Sequence, residues 1–192
     1  MKNSVFYWPT LVYLLKYSMS LLNITIGEEA PEIINVVIEI PKGSPNKYEF
    51  DDKTGVFKLD RVLFPPLVFP ADYGFIPQTL ASDGDHLDAI VLSEDPLLQG
   101  SVIRARPIGL LKMVDSGNED CKVLAVEVDN PNYKNIKNVN DVASENKEVL
   151  EKIAQFFRIY KGPEEKEVEV LGWEGTESAK EEIRVARDLF KK

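Results

Sequence analysis

Asp83, Gly84, Asp85, His86, Leu87 and Asp88 place three carboxylates within six residues. Like charges about 4 Å apart repel by on the order of 1 kcal/mol in water and about 4 kcal/mol at an effective dielectric of 20, so such a cluster calls for a cation. Aspartate oxygens are hard ligands that suit Mg²⁺ or Mn²⁺, and the glycine between the first two lets the chain turn sharply enough for carboxylates to converge. The run is not an EF-hand, which needs glycine at its sixth position and glutamate at its twelfth. Counted from Asp83, Asp88 and Glu94 stand there. Taken alone, these residues read either as a cation site or as an exposed acidic turn.

Further groups recur in suggestive settings. Asp115 to Asp120 forms a second acidic loop, followed directly by Cys121 and Lys122. Glu39 and Glu49 sit in strand-like surroundings, where a carboxylate either faces solvent or serves a site. Lys47 precedes Tyr48, Arg61 follows a turn, Tyr73 lies in Ala-Asp-Tyr-Gly-Phe, and Tyr160 and Lys161 end a helical pattern. Each has a plain alternative: Tyr160 falls on an apolar stripe suited to core packing, and Lys161 complements a helix C-terminus.

The elements that must hold these groups are mostly strands. Strand patterns cover 35–40, 47–50, 56–59, 87–92, 101–113, 121–128 and 167–173, with turns at 43–46 and 51–55 and irregular loops marked by Pro65, Pro66 and Pro70. Helical spacing links Val149, Leu150, Ile153, Phe156, Phe157 and Tyr160, and Gly162 with Pro163 stops that run. A second helix is expected from Ser178, capped by Glu181, with Ala179, Ile183, Ala186 and Phe190 on one face. Strands first and helices last predict an α+β domain, mainly β, built as a small closed barrel with two C-terminal helices packed outside.

Composition narrows the chemistry. The 192 residues carry 32 acidic against 23 basic side chains, a net charge of -9, which disfavours a general nucleic-acid binder. One histidine cannot supply a multi-histidine zinc site, and one cysteine cannot form an internal disulfide. Carboxylate chemistry in a reducing compartment is the expectation.

An ordered series of motifs then identifies a resemblance: Val-Ile-Glu-Ile-Pro at 37–41, Lys-Tyr-Glu at 47–49, Asp-Arg at 60–61, Asp-Tyr-Gly-Phe-Ile at 72–76, Asp-Gly-Asp-x-x-Asp at 83–88, Arg-x-Arg-Pro-Ile-Gly at 104–109 and Lys-Met-x-Asp at 112–115. Over residues 19–192 the sequence resembles the family I soluble inorganic pyrophosphatases of prokaryotic type. The resemblance implies a five-stranded OB-type barrel, metal-dependent hydrolysis of pyrophosphate to two orthophosphates by a metal-activated water, and a cytoplasmic homohexamer. By matched position it implies Asp83, Asp88, Asp115 and Asp120 as metal ligands for Mg²⁺, with Mn²⁺ or other divalent cations as substitutes. Asp85 is similar to the general base, with Glu39 and Glu49 supporting the catalytic site. Lys47, Arg61, Tyr73, Lys122, Tyr160 and Lys161 match phosphate-binding positions. Where the family usually has proline after Asp-Gly-Asp, His86 stands here, a change that bears on loop stiffness rather than activity.

Two other readings compete. An OB barrel can bind oligonucleotides, but the acidic charge and lack of a basic stripe interleaved with aromatics oppose it. An acidic metal cluster also fits a phosphohydrolase acting on a nucleotide or phosphorylated metabolite. The apolar stretch at 5–22 contains Pro9 and Lys16, which argues against a membrane span of roughly 20 apolar residues. Lys2 and Ser18-Met19-Ser20 loosely match a signal peptide. The preferred reading is an extension over 1–18, outside a catalytic domain at 19–192.

Overall fold

Residues 34–40 read Ile-Asn-Val-Val-Ile-Glu-Ile, a β-branched run that packs well on a pleated surface, and they form a nearly wholly buried first strand, β1 (Ile34–Ile40). The computed structural model describes residues 21–162 and 167–191. The expected extension at 1–18, the boundary at Met19 and the helix stop at Pro163 lie outside the described residues.

The strands that follow are β2 (Asn46–Asp51), β3 (Val56–Val62), β4 (Asp72–Ile76), β5 (Leu87–Leu92), β6 (Val102–Asp115), β7 (Asn118–Glu119), β8 (Lys122–Glu127) and β9 (Val168–Gly175). Five of them close on themselves: β1 pairs with β4, β4 with β5, β5 with β8, β8 with β6, and β6 returns to β1. This is the expected five-stranded barrel, antiparallel except for β5 and β8. The 14-residue β6 meets β1 along its first part and β9 along its second, with irregular register at Pro107–Gly109, where a proline that cannot donate to the ladder is tolerated. Alternation along the strands feeds two apolar clusters. Leu124 and Val126 face the one that the first helix covers, while Val123 and Ala125 face the other, to which the second helix contributes Ala179, Ile183 and Ala186.

β4 is a strand that the sequence pattern does not announce, because it opens on Asp72 and carries Gly74 in its middle. The glycine is required: a Cβ there would lie 1.9 Å from the carbonyl oxygen of Val37 on β1. Asp72 is fully buried and accepts from the backbone N–H groups of Lys42 and Leu97, both at 2.9 Å, and from the Ser93 hydroxyl. β2 and β3 form a separate two-stranded ribbon outside the barrel.

Two helices lie against β6 and β9. α1 (Val139–Ile159) begins ten residues before its expected start, behind an Asn138 cap whose side chain accepts from the Asn140 N–H while Asp141 reaches back to the Asn138 N–H. Such a cap is worth about 1 kcal/mol. Asn146, with φ −156° and ψ 82°, interrupts α1, so only the second half shows the helical spacing read from sequence. α2 (Thr176–Phe190) corrects the expected start at Ser178. It opens after Gly175 with no side-chain cap, and Glu181 pairs with Arg184 instead of capping. Ala179, Ile183 and Ala186 are buried as expected, whereas Phe190 is 47% exposed.

Candidate active site

At one mouth of the barrel lies a cleft of about 290 Å³, lined by every expected site residue except Arg61. Glu39 comes from β1, Lys47 and Glu49 from β2, Tyr73 from β4, and Asp88 from the start of β5. Asp115 ends β6 and Lys122 begins β8. Asp83 and Asp85 sit on the β4–β5 loop, Asp120 sits between β7 and β8, and Tyr160 with Lys161 follows α1. Arg61 stands across the ribbon from Lys47 and joins it through Asp60, whose Oδ2 accepts from Arg61 Nη1 at 2.7 Å and from Lys47 Nζ at 3.2 Å.

Local chemistry explains the loops. Gly84 takes φ +95°, the left-handed conformation that the sharp turn needs, and Asp83 Oδ1 accepts from the Asp85 N–H at 3.1 Å. The second acidic segment contains a tight hairpin: Ser116 and Gly117, at φ 51° and 85°, join β6 to β7 and set Asp115 opposite Asn118. His86 Nδ1 lies 2.8 Å from the Thr79 carbonyl oxygen and the Leu87 N–H donates to Thr79 Oγ1 at 2.9 Å. The loop is therefore held by side-chain bonds where the resembling family has a proline.

The cleft holds eight carboxylates against three ammonium groups. Lys122, 2% exposed, lies 2.7 Å from both Asp88 Oδ2 and Asp120 Oδ1. It also sits 5.7 Å from the Tyr73 ring centre and 5.6 Å from that of Phe157. Burial alone would push its ammonium towards neutrality, but Asp88 and Asp120 outweigh that and hold it charged. Lys161 pairs with Asp115, and Lys47 with Glu49. Lys47 is likewise raised, because Glu49 and Asp60 outweigh its burial. Burial, opposed by the Phe50 N–H at 2.7 Å, pushes Glu39 up to about 8. Burial, then Asp83 and Asp88, raises Asp85. Burial, partly offset by Lys122, raises Asp120, and burial raises Tyr73 and Tyr160.

Burial leads each of these carboxyl and phenol shifts, with neighbouring carboxylates adding to it, and an all-oxygen carboxylate set is the donor chemistry that Mg²⁺ or Mn²⁺ takes. Among the described residues, no group of three carboxylate, imidazole or thiol side chains is drawn together closely enough to hold an ion in this arrangement. Asp88, Asp115 and Asp120 share lysine ammonium groups instead. Asp52 and His86 also line the cleft. Asp52, in the turn of the ribbon, looks in sequence like any acidic turn residue, and nothing local distinguishes it.

A small, mostly polar cleft with lysine and tyrosine donors among carboxylates, at the mouth of a five-stranded barrel, defines an enzyme for a compact ionic substrate. A family profile described as inorganic pyrophosphatase matches residues 36–191. An inorganic pyrophosphatase of Synechocystis is 51% identical over 146 residues, covering 76% of this chain and 85% of that one. Soluble inorganic pyrophosphatase 3 of Arabidopsis thaliana is 46% identical over 168 residues, covering 88% and 76%. The crystal structure of inorganic pyrophosphatase from Thermus thermophilus superposes with a TM-score of 0.85 at 43% identity, covering 90% of this chain and 99% of that one. The chain belongs to the inorganic pyrophosphatase family. It is a hydrolase that acts on pyrophosphate and releases phosphate.

Proposed function

We propose that hydrolysis runs with Mg²⁺ as the preferred divalent cation, Asp85 as general base, and the lysine and tyrosine groups of the cleft as phosphate ligands. The observation that carries this reading is the convergence of residues from six barrel and ribbon strands, two loops and the end of α1 on one cleft. Asp83, Asp88, Asp115 and Asp120 would hold the metal, with Glu39 and Glu49 supporting them. Bound divalent cations supply charge neutralisation and a lowered water pKa.

The chain's own residues do the rest. Lys47, Arg61, Lys122 and Lys161, with the Tyr73 and Tyr160 hydroxyls, donate to the phosphate oxygens, and Asp60 holds Arg61 and Lys47 side by side. Attack of water oxygen on one phosphorus breaks the bridging P–O bond. One water proton passes to the Asp85 carboxylate and the other stays on the newly formed P–OH, while the departing phosphate keeps the bridging oxygen and takes up a proton from solvent, to which Asp85 releases its own before the next turnover. A carboxylate base has only a modest proton-transfer gap to close towards a water whose pKa a divalent cation would lower. Phosphoryl transfer asks little covalent help from a protein, so positioning and charge carry the rate.

Mn²⁺ or another divalent cation is proposed as a substitute, and a cytoplasmic homohexamer as the working form. A single, buried cysteine supports a reducing compartment. No helix among the described residues is long and apolar enough to cross a membrane. The test compares phosphate release from pyrophosphate, ATP and a phosphomonoester, with Mg²⁺ and with EDTA. Pyrophosphate should be hydrolysed far faster than the others, EDTA should stop it, and Asp85→Asn should lower the rate by about 10² to 10⁴ in a folded protein. Equal rates on ATP would sink the substrate assignment, turnover in EDTA the metal, and full activity of Asp85→Asn the base.

A further inference from the structure

The proposed chemistry leaves His86 unused, although it lines the cleft and its ring is fixed on every side. The Thr79 carbonyl can only accept, so the Nδ1 that meets it at 2.8 Å carries the ring proton. That bond pins the imidazole to the β4–β5 loop. Its face stacks on Phe75 of β4, with centres 5.0 Å apart and planes 12° apart. Phe75 stacks in turn on Phe50 of β2 at 5.6 Å and 19°, and Phe50 meets Phe57 of β3 at 5.3 Å. Phe190, at the end of α2, approaches the imidazole at 6.1 Å. Nε2 lies 3.4 Å from Asp52 Oδ2, in the turn of the ribbon, an approach that becomes an ion pair only when both ring nitrogens carry protons.

We propose that His86 is a positioning residue: through the row of rings it seats the β2–β3 ribbon on the barrel, and so places Lys47 for pyrophosphate. The ribbon makes no strand pairing with the barrel, and an isolated two-stranded hairpin is marginal in water, so its seat must come from side chains. Lys47 is tied to Glu49 and Asp60, both ribbon residues, so whatever moves the ribbon moves the ammonium with it. Without the imidazole, one face of Phe75 loses its cover, and the seat of Phe50 loosens. Substrate binding should suffer more than the chemical step, because Asp83, Asp85 and Asp88 stand on the barrel side of this joint.

The inference rests on the reading of Lys47 as a phosphate ligand, and steady-state kinetics separate the two. His86→Ala should raise KM for pyrophosphate about 3- to 10-fold, the worth of one aromatic pair, and leave kcat within about twofold. His86→Phe, which keeps the ring stack, should restore most of the loss. Lys47→Gln should raise KM by itself, and adding His86→Ala to it should raise KM little further, as coupled residues do. An unchanged KM in His86→Ala, a fall in kcat alone, or full additivity with Lys47→Gln would overturn the positioning role. A normal KM in Lys47→Gln would overturn the Lys47 assignment and the route through it. Because His86 is the sole histidine, its ring C–H signals in the wild-type proton NMR spectrum also report directly. They should lie upfield of a free imidazole and move back in Phe75→Leu; signals at free-histidine positions would refute the stack without any variant at His86.

Discussion

A buried ammonium is tolerated only where partners replace its hydration, and Lys122 has them: two carboxylates at 2.7 Å and two aromatic faces. Glu39 is the opposite case, a carboxyl 8% exposed whose burial outweighs the Phe50 N–H and the Lys47 ammonium that favour its charge. Its pKa stands at about 8 in the folded protein against an ordinary 4.5. Between those values the unfolded chain has released this proton while the native chain keeps it. The contribution to stability is therefore complete below about pH 4.5 and lost as pH rises through 8. In EDTA, Glu39→Gln should match the wild-type Tm near pH 4 and exceed it at pH 8, with the gap widening by up to a few kcal/mol of stability. Parallel Tm curves across that range would show that Glu39 ionises normally. The Asp83–Asp88 run was legible as a cation-seeking cluster because its spacing is written along the chain, whereas the lysines, Glu39 and Glu49 were ambiguous singly and stood out only through the resemblance. Asp52 was not, since its place in the cleft depends on where the ribbon folds back.

Strands differ in how openly the sequence declares them. β1, β5 and β8 are apolar runs buried on both faces, and they stand close to where the patterning puts them. β4 stayed hidden because Gly74 and Asp72 are poor strand formers taken singly. Each is there for tertiary reasons, one to admit the Val37 carbonyl and the other to gather three donors. Gly74→Ala should accordingly lower stability by roughly 3 kcal/mol or more, the upper end of overpacking costs, because backbone must shift to make room. Urea unfolding midpoints measure this, and an unchanged midpoint would mean that β1 and β4 do not approach so closely. The first half of α1 escaped notice for another reason. Its residues are largely polar, and the break at Asn146 cuts the periodicity on which a helix is recognised. α2 was recognised by its stripe but misjudged at its start, since Gly175 gives no side-chain cap to read.

For the whole molecule, every residue of the cleft lies between Glu39 and Lys161, and the family match begins at residue 36. A chain starting at Met19 should therefore keep full pyrophosphate hydrolysis and the same number of subunits by light scattering, with each subunit lighter by the residues removed. Loss of either would make residues 1–18 part of the working protein. The barrel's closure carries a further consequence. Its seam joins Ile34–Val37 to Val102–Ala105, and Asp88 and Lys122 are brought side by side by the parallel β5–β8 pair. No contiguous half of the chain contains a usable set of groups, because the cleft draws on the first barrel strand and on the residues that follow α1. During refolding, activity should therefore appear later than secondary structure, once the long-range pairings that gather these groups are in place, and the lag of phosphate release behind far-UV circular dichroism measures that assembly.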